Sequence, residues 1–267
     1  MPELPEVEAW RKLAEQHVRG KTIIKVTVRK DEIIFDQKSH TAWARACKGL
    51  AVNEVCRKGK HLWMDCGDPG AKVFPYFHFG MSGAFHAYRD ESERDKYLKA
   101  EFLFEDGTRL GYRNARRIGA VRLLTDPLSE EPISKLGFDP FLNLPSLADF
   151  SAPLRKRRAP IKSMLLDQKF AAGVGNWIAD EILYQAKIHP RKLGIELSEA
   201  ELKRLRSKMK SIIDKSVAVD ADKARFPKTW LFHYRWGKTA ETTAKGEPIE
   251  FDRIGGRTTA WVPSVQT

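Results

Sequence analysis

The chain has 267 residues, with 47 Lys plus Arg against 35 Asp plus Glu and a formal charge of +12. Its 42% hydrophobic content suffices for one large core or two smaller ones, which excludes a disordered polyelectrolyte, and the excess of positive charge points to a polyanionic partner. No apolar run approaches the ~18 residues of a membrane span, and the opening residues are acidic and proline-containing where a signal peptide is basic and then apolar, so a soluble, unexported protein is expected.

Val7, Trp10, Leu13, Ala14 and Val18 recur at helical spacing and Gly20 follows, which predicts one leading amphipathic helix. From Thr22 to Leu124 the texture changes to short β-favouring runs separated by turn residues: 23–28, 51–56, 61–66, 73–79, 83–88, 101–105, 109–112 and 120–124. This spacing predicts an antiparallel sandwich or barrel. Pro127, Pro132, Pro140 and Pro145 then mark an irregular linker, and Arg155-Lys156-Arg157-Arg158 with Lys162 reads as a basic cluster just beyond it. Helical periodicity returns in 161–169, 174–187 and 198–217, the last opened by a Ser198-x-x-Glu201 capping box. Ile249 to Val262 reads as strand, glycine turn, strand. The expected class is therefore α+β in two domains. Its parts are an N-terminal antiparallel β-sandwich with a leading helix, and a C-terminal helical domain closed by a β-hairpin. The expected boundaries are 1–130, a linker at 131–145, 146–224 and 225–267. Cys47, Cys56 and Cys66 have no C-x-x-C spacing, which predicts reduced core residues, not disulfides or thiolate metal ligands.

The opening Met1-Pro2-Glu3-Leu4-Pro5-Glu6-Val7-Glu8 fits a helix N-terminus, where proline is tolerated and acidic residues complement the dipole. It also fits chemistry. Removal of Met1 leaves a secondary amine beside a carboxylate, and at neutral pH an α-amino group is the free base roughly a hundred times more often than a lysine. Such an amine attacks an electrophilic sugar carbon to give an iminium, and a neighbouring carboxyl can move protons to the ring oxygen.

Five ordered motifs resemble the formamidopyrimidine-DNA glycosylases, relatives of the endonuclease VIII group. The first is Met1 to Glu8. The next three are Arg57-Lys58-Gly59-Lys60-His61-Leu62, His78-Phe79-Gly80-Met81-Ser82-Gly83 and Asn114-Ala115-Arg116-Arg117-Ile118-Gly119. The last runs from Leu166-Asp167-Gln168-Lys169 through Ala172-Gly173-Val174-Gly175-Asn176 to Ala179-Asp180-Glu181-Ile182-Leu183. They span most of the chain. The resemblance implies a helix-two-turn-helix in the C-terminal domain and a metal-free bifunctional glycosylase and abasic-site lyase acting as a monomer on damaged duplex DNA. It assigns Pro2 as the Schiff-base nucleophile, Glu3 as the acid/base at the deoxyribose oxygen, Lys60 as the lysine contacting phosphate and sugar, and Glu6 as a supporting residue. Met81, Arg116 and Ile118 match the wedge that fills the space of the flipped nucleotide, with Ile118 standing where phenylalanine is usual. An enzyme that reaches a base inside a duplex must flip it and offset a few kcal/mol of stacking, and apolar wedges serve that purpose. His78, Arg117 and Asn176 belong to the expected DNA contacts.

The C-terminal hairpin departs from the common pattern. The positions of the usual four zinc-binding cysteines match Thr242, Lys245, Val262 and Val265, none of which binds zinc in this way. The resemblance is therefore to the zincless-finger members found in plants and fungi, with Arg257 at the tip reaching phosphate and no cofactor. Trp230, Phe232, Tyr234, Trp236, Phe251 and Trp261 are expected to hold the hairpin by packing. The short, glycine-free Ala218 to Lys228 segment implies weaker action on 8-oxoguanine than on formamidopyrimidines and hydantoins. The alternatives are an endonuclease VIII-type enzyme for oxidised pyrimidines, against which Leu4 stands where that group has glycine, and a catalytically silent damage-binding protein, against which Pro2, Glu3 and Lys60 stand. The expected location is the cytoplasm or nucleoid of a bacterium or the nucleus of a eukaryote.

Overall fold

A computed structural model describes residues 2–35, 40–237 and 242–267. The chain divides into two compact units. One holds Pro2 and Glu6–Lys135; the other holds Glu3–Pro5 and Leu136–Thr267.

In the first unit, helix α1 (Leu4–Val18, whose opening residues count with the second unit) is followed by β1 (Ile23–Val28), α2 (His40–Cys47) and seven further strands. These are β2 (Val52–Lys58), β3 (His61–Cys66), β4 (Phe74–His78), β5 (Gly83–Tyr88), β6 (Leu98–Phe104), β7 (Arg109–Asn114) and β8 (Ala120–Leu124). They pair antiparallel in two four-stranded sheets of order β1-β6-β7-β5 and β2-β3-β4-β8. The two-residue period of a strand sends alternate side chains to opposite faces. Phe77, Phe102, Leu110 and Val121 thus join Val7, Ala14 and Val18 of α1 in the main core, while Trp63, Tyr76 and Leu124 form a second cluster closed by Ile133. The sequence periodicity misses α2, whose buried Trp43 and Cys47 lie four residues apart and whose indole N–H donates to the Arg122 carbonyl at 3.0 Å. Cys47 and Cys66 are buried and Cys56 half-buried, all as free thiols.

The second unit contains α3 (Leu147–Arg155), α4 (Ile161–Leu166), α5 (Asn176–Ala186), α6 (Glu199–Ala218) and the hairpin β9 (Glu250–Ile254) and β10 (Arg257–Trp261). The expected capping box is present: Ser198 accepts from the Glu201 N–H and the Glu201 carboxylate accepts from the Ser198 N–H. Helix α3 is absent from the sequence expectation, because Pro153 lies inside it; Ser146 caps it and Phe150 and Leu154 anchor it in the core. The expected linker holds a 3-10 turn at Ile133–Lys135 and is not a loose tether, since Ile133 is buried in the first unit and Phe138, Phe141 and Leu144 pack against the core of the second. Between α4 and α5 the chain makes two turns held by one side chain. The Gln168 amide donates to the Leu166 and Val174 carbonyls, both at 2.8 Å, and accepts from the Gly173 N–H at 3.0 Å.

Candidate active site and nucleic-acid interface

In the second unit, the turns before α5 aim its N-terminal N–H groups at Glu3. The Glu3 carboxylate accepts from Trp177 N at 2.9 Å and Ile178 N at 3.2 Å, while Leu4 N donates to the Gly173 carbonyl at 3.1 Å. A helix N-terminus has unpaired donors and a partial positive charge, so a carboxylate satisfies both. Gly175 makes the approach possible: a Cβ there would lie 2.2 Å from Glu3 Cδ. Asn176, the first residue of α5, donates from Nδ2 to the Thr258 carbonyl at 2.8 Å, so its amide also ties the helix to the hairpin.

A buried charge group completes that tie. Lys162 does not belong to an exposed basic cluster with Arg155 to Arg158, because the structure buries it completely. Its ammonium meets Asp180 Oδ1 at 2.6 Å and donates to Thr259 Oγ1 at 2.8 Å and the Thr258 carbonyl at 3.0 Å. Burial lowers the Lys162 pKa, with Asp180 opposing that shift. The second oxygen of Asp180 accepts from Arg235 at 2.7 and 3.1 Å and from Ala260 N at 3.1 Å. Of the exposed run, Arg155 pairs with Glu199 and Arg157 with Asp167.

The hairpin turns at Gly255 and Gly256, both with positive φ, between the paired Ile254 and Arg257. That is the backbone a two-residue hairpin loop demands. Arg257 is exposed at the tip. Packing at its base comes from Tyr184, Leu231, Ile249, Ala260 and Val262, with Tyr234, Phe251 and Val265 against them. Of the aromatics expected here, Trp230 and Phe232 belong to the main helical core, Trp261 rests edge-on against His189 with centroids 4.4 Å apart, and Trp236 is 56% exposed beneath the Arg235 guanidinium. Val262 and Val265, at two of the usual cysteine positions, are thus apolar packing residues. Near Thr242 and Lys245, the Thr243 hydroxyl donates to Glu247 at 2.8 Å and accepts from Lys245 N and Glu247 N. Zinc does not fit these side chains. Among the described residues no cluster of three or more His, Cys, Asp or Glu could hold a metal ion.

In the first unit, Gly59 and Lys60 form the turn between the paired Lys58 and His61, with Gly59 at φ +59°. Buried Arg57 fixes this turn: its Nη1 donates to the Gly59 carbonyl at 2.9 Å and its Nε to Glu8 at 2.8 Å. Glu8 also pairs with Arg11 at 2.9 Å. Sequence alone leaves Glu8 open between helix-end charge and chemistry; its place is structural, connecting α1 to the Lys60 turn. His61 stacks on His78 with centroids 4.9 Å apart, and its Nδ1 lies 2.6 Å from the Tyr76 hydroxyl. Burial pushes the pKa of His61 down to about 3, aided by His78, Lys60 and Arg122, and that of His78 to about 4, aided by Lys60 and Arg122. Both rings are neutral at physiological pH. Sequence reasoning gives no role to His61 or Tyr76, whose proximity follows only from strand register.

The two expected wedge loops lie against each other. A Cβ on Gly80 would fall 1.2 Å from the Ile118 carbonyl, and Arg116 N donates to Ser82 Oγ at 3.0 Å. Met81 and Ile118 are 40% and 48% exposed, and Arg116 is exposed beside them. Arg117, one of the expected DNA contacts, pairs with Asp31. Pro2 and Glu6 are half-buried.

The family models for the formamidopyrimidine-DNA glycosylase N-terminal domain and H2TH domain match residues 1–121 and 136–228. A formamidopyrimidine-DNA glycosylase from Arabidopsis thaliana is 40% identical over 100% of this chain and 71% of its own length. One from Listeria innocua is 34% identical over 100% of both chains. Among solved structures, Lactococcus lactis Fpg bound to DNA containing an abasic site superposes with a TM-score of 0.86 at 27% identity, covering 99% of each chain. A mutant of the Lactococcus lactis protein in complex with DNA containing Fapy-dG gives 0.87 at 28% identity, covering 100% of each. With both family domains present in order and full-length relatives above 30% identity, the chain belongs to the formamidopyrimidine-DNA glycosylase family.

Proposed function

We propose that this chain excises oxidised bases from duplex DNA and then cleaves the abasic site, with Pro2 as nucleophile, Glu3 as acid/base and Lys60 as the phosphate- and sugar-contacting cation. The observation that carries this reading is the Glu3 carboxylate, directly after the imino acid and seated on the α5 N-terminus. The Pro2 nitrogen forms a bond to C1′ as the glycosidic bond breaks and the base departs with a proton. Glu3 takes up the proton that the Pro2 nitrogen sheds on bonding and delivers it to O4′, which opens the ring and leaves an iminium. The iminium acidifies C2′, so β-elimination expels the 3′ phosphate and δ-elimination the 5′ phosphate. Hydrolysis frees Pro2.

An amine and a carboxyl supply this chemistry, and no metal or organic cofactor is needed. Met81, Arg116 and Ile118 fill the gap of the flipped nucleotide, and Arg257, Asn176 and the neutral His78 contact backbone phosphate. The enzyme acts as a monomer where the cell keeps its DNA. Formamidopyrimidines and hydantoins are preferred to 8-oxoguanine, because the Ala218 to Lys228 segment after α6 is short and has no glycine. The test is single-turnover excision from duplexes bearing one defined lesion. Glu3→Gln should abolish base release while DNA affinity persists, and chelators should leave the wild-type rate unchanged; excision by Glu3→Gln at the wild-type rate contradicts the assignment.

A further inference from the structure

Arg117 sits between two exposed wedge residues in a backbone conformation that L residues avoid. Its φ is +55°, a left-handed geometry that non-glycine residues seldom adopt. Such outliers persist where the surroundings over-determine them. Here the restraint comes from a carboxylate 86 residues earlier in the chain: Arg117 Nε meets Asp31 Oδ2 at 3.0 Å and Nη2 meets Oδ1 at 3.1 Å. This two-pronged geometry fixes the guanidinium plane as well as its distance.

Asp31 is itself immobilised. It is buried, accepts from Lys99 Nζ at 2.7 Å, and takes the backbone N–H groups of Ile33 and Ile34 at 3.2 and 3.3 Å. Ile34 in turn accepts from Val121 N at 2.8 Å, which joins the Asp31 segment to the strand that follows the wedge loop. On the other side Ser82 holds Arg116 N and donates to Asn114 Oδ1 at 3.2 Å. Lys99 and Arg117 both pair with this buried carboxylate and hold it beside the loop. Its fixed place therefore argues for a structural service to the loop.

We infer that Asp31 clamps Arg117 so that Arg116 and Ile118 are presented for insertion before DNA arrives, which makes Asp31 a positioning residue for nucleotide flipping. This rests on the wedge reading of those two side chains. Preorganisation removes the ordering cost from the flipping step, so loosening the loop slows only reactions that require flipping.

The experiment compares two substrates with the full-length enzyme: a formamidopyrimidine in duplex DNA, and an abasic site in a single strand, where no stack is opened. Asp31→Asn should lower duplex excision about tenfold to a hundredfold while single-strand cleavage stays near the wild-type rate. Arg117→Gly, which accepts the left-handed backbone but lacks the guanidinium, should show the same loss on duplex. Equal loss by Asp31→Asn on both substrates means general misfolding and overturns the clamp. Normal duplex excision by Asp31→Asn also overturns it; if Arg117→Gly is then slow, Arg117 acts on DNA directly. The double variant Arg116→Ala/Ile118→Ala separates the two readings. If it is slow on duplex while Asp31→Asn is normal, only the clamp fails; if it is normal, the wedge reading fails and the clamp with it.

Discussion

The Glu3 carboxylate occupies the space that a side chain on Gly175 would need, with Cδ only 2.2 Å from the position of such a Cβ. Because Glu3 is flexible and the obstructing atoms are its tip, Gly175→Ala should be tolerated by the fold but push the carboxylate off the Trp177 and Ile178 N–H groups. Base excision is expected to fall about a hundredfold or more, the range for a lost general acid/base, with stability lowered by only about 1–2 kcal/mol as two buried N–H groups lose their acceptor. Calorimetry alongside single-turnover excision checks both parts; normal excision shows that the Glu3 position is not required.

Lys162 connects α4, α5 and the hairpin through Asp180, Thr258 and Thr259. Lys162→Met removes one of the two cations on a fully buried carboxylate and takes the donor from the Thr259 hydroxyl, while the Thr258 carbonyl keeps only Asn176. Breaking a buried pair from one side costs about 3–5 kcal/mol. Urea denaturation should show a loss of this order, and limited proteolysis should cut near Arg257 sooner. A loss below about 1 kcal/mol would mean that the hairpin is held by its apolar base alone.

Glu181 gives a pH dependence with a definite sign. It is fully buried on α5, accepts from Gln185 at 2.7 Å and Phe232 N at 2.8 Å, and lies beside Asp180 and Arg235. Burial, reinforced by Asp180, pushes its pKa up to about 7 against the opposing hydrogen bonds and Arg235. The folded state therefore holds a proton that the unfolded chain has lost. This contribution is complete below about pH 4.5, the ordinary carboxyl value, and disappears as pH rises through about 7, by up to roughly 3 kcal/mol. Glu181→Gln should flatten the fall in stability between about pH 5 and 8. Denaturation curves with the same pH slope in both proteins would place the titration elsewhere.

Local signals in the sequence locate most of the architecture. The Ser198 to Glu201 capping box, the Gly255-Gly256 turn and the β-favouring run at 73–79 that becomes β4 are short-range patterns, and each stands where the sequence places it. What escapes is decided by distant partners. Pro153 conceals α3, which is stabilised by its Ser146 cap and core contacts. Lys162 resembles surface charge because Asp180 and Thr259 come to it from other elements. Nothing near Arg117 in the sequence announces its pairing with Asp31. Pro2, Glu3 and Lys60 stand out from motif resemblance and the chemistry of a terminal imino acid. The devices that fix two of them, the α5 N-terminus for Glu3 and the Glu8–Arg57 pair for the Lys60 turn, depend on tertiary placement.

Pro2 as nucleophile is tested most directly by adding borohydride during reaction with duplex DNA containing an abasic site, then sequencing the cross-linked peptide by mass spectrometry. Reduction of the iminium should leave the sugar on the nitrogen of an N-terminal Pro2, with Met1 removed. A stable adduct on Lys60 or another lysine, or efficient strand cleavage by enzyme that retains Met1, would contradict the account.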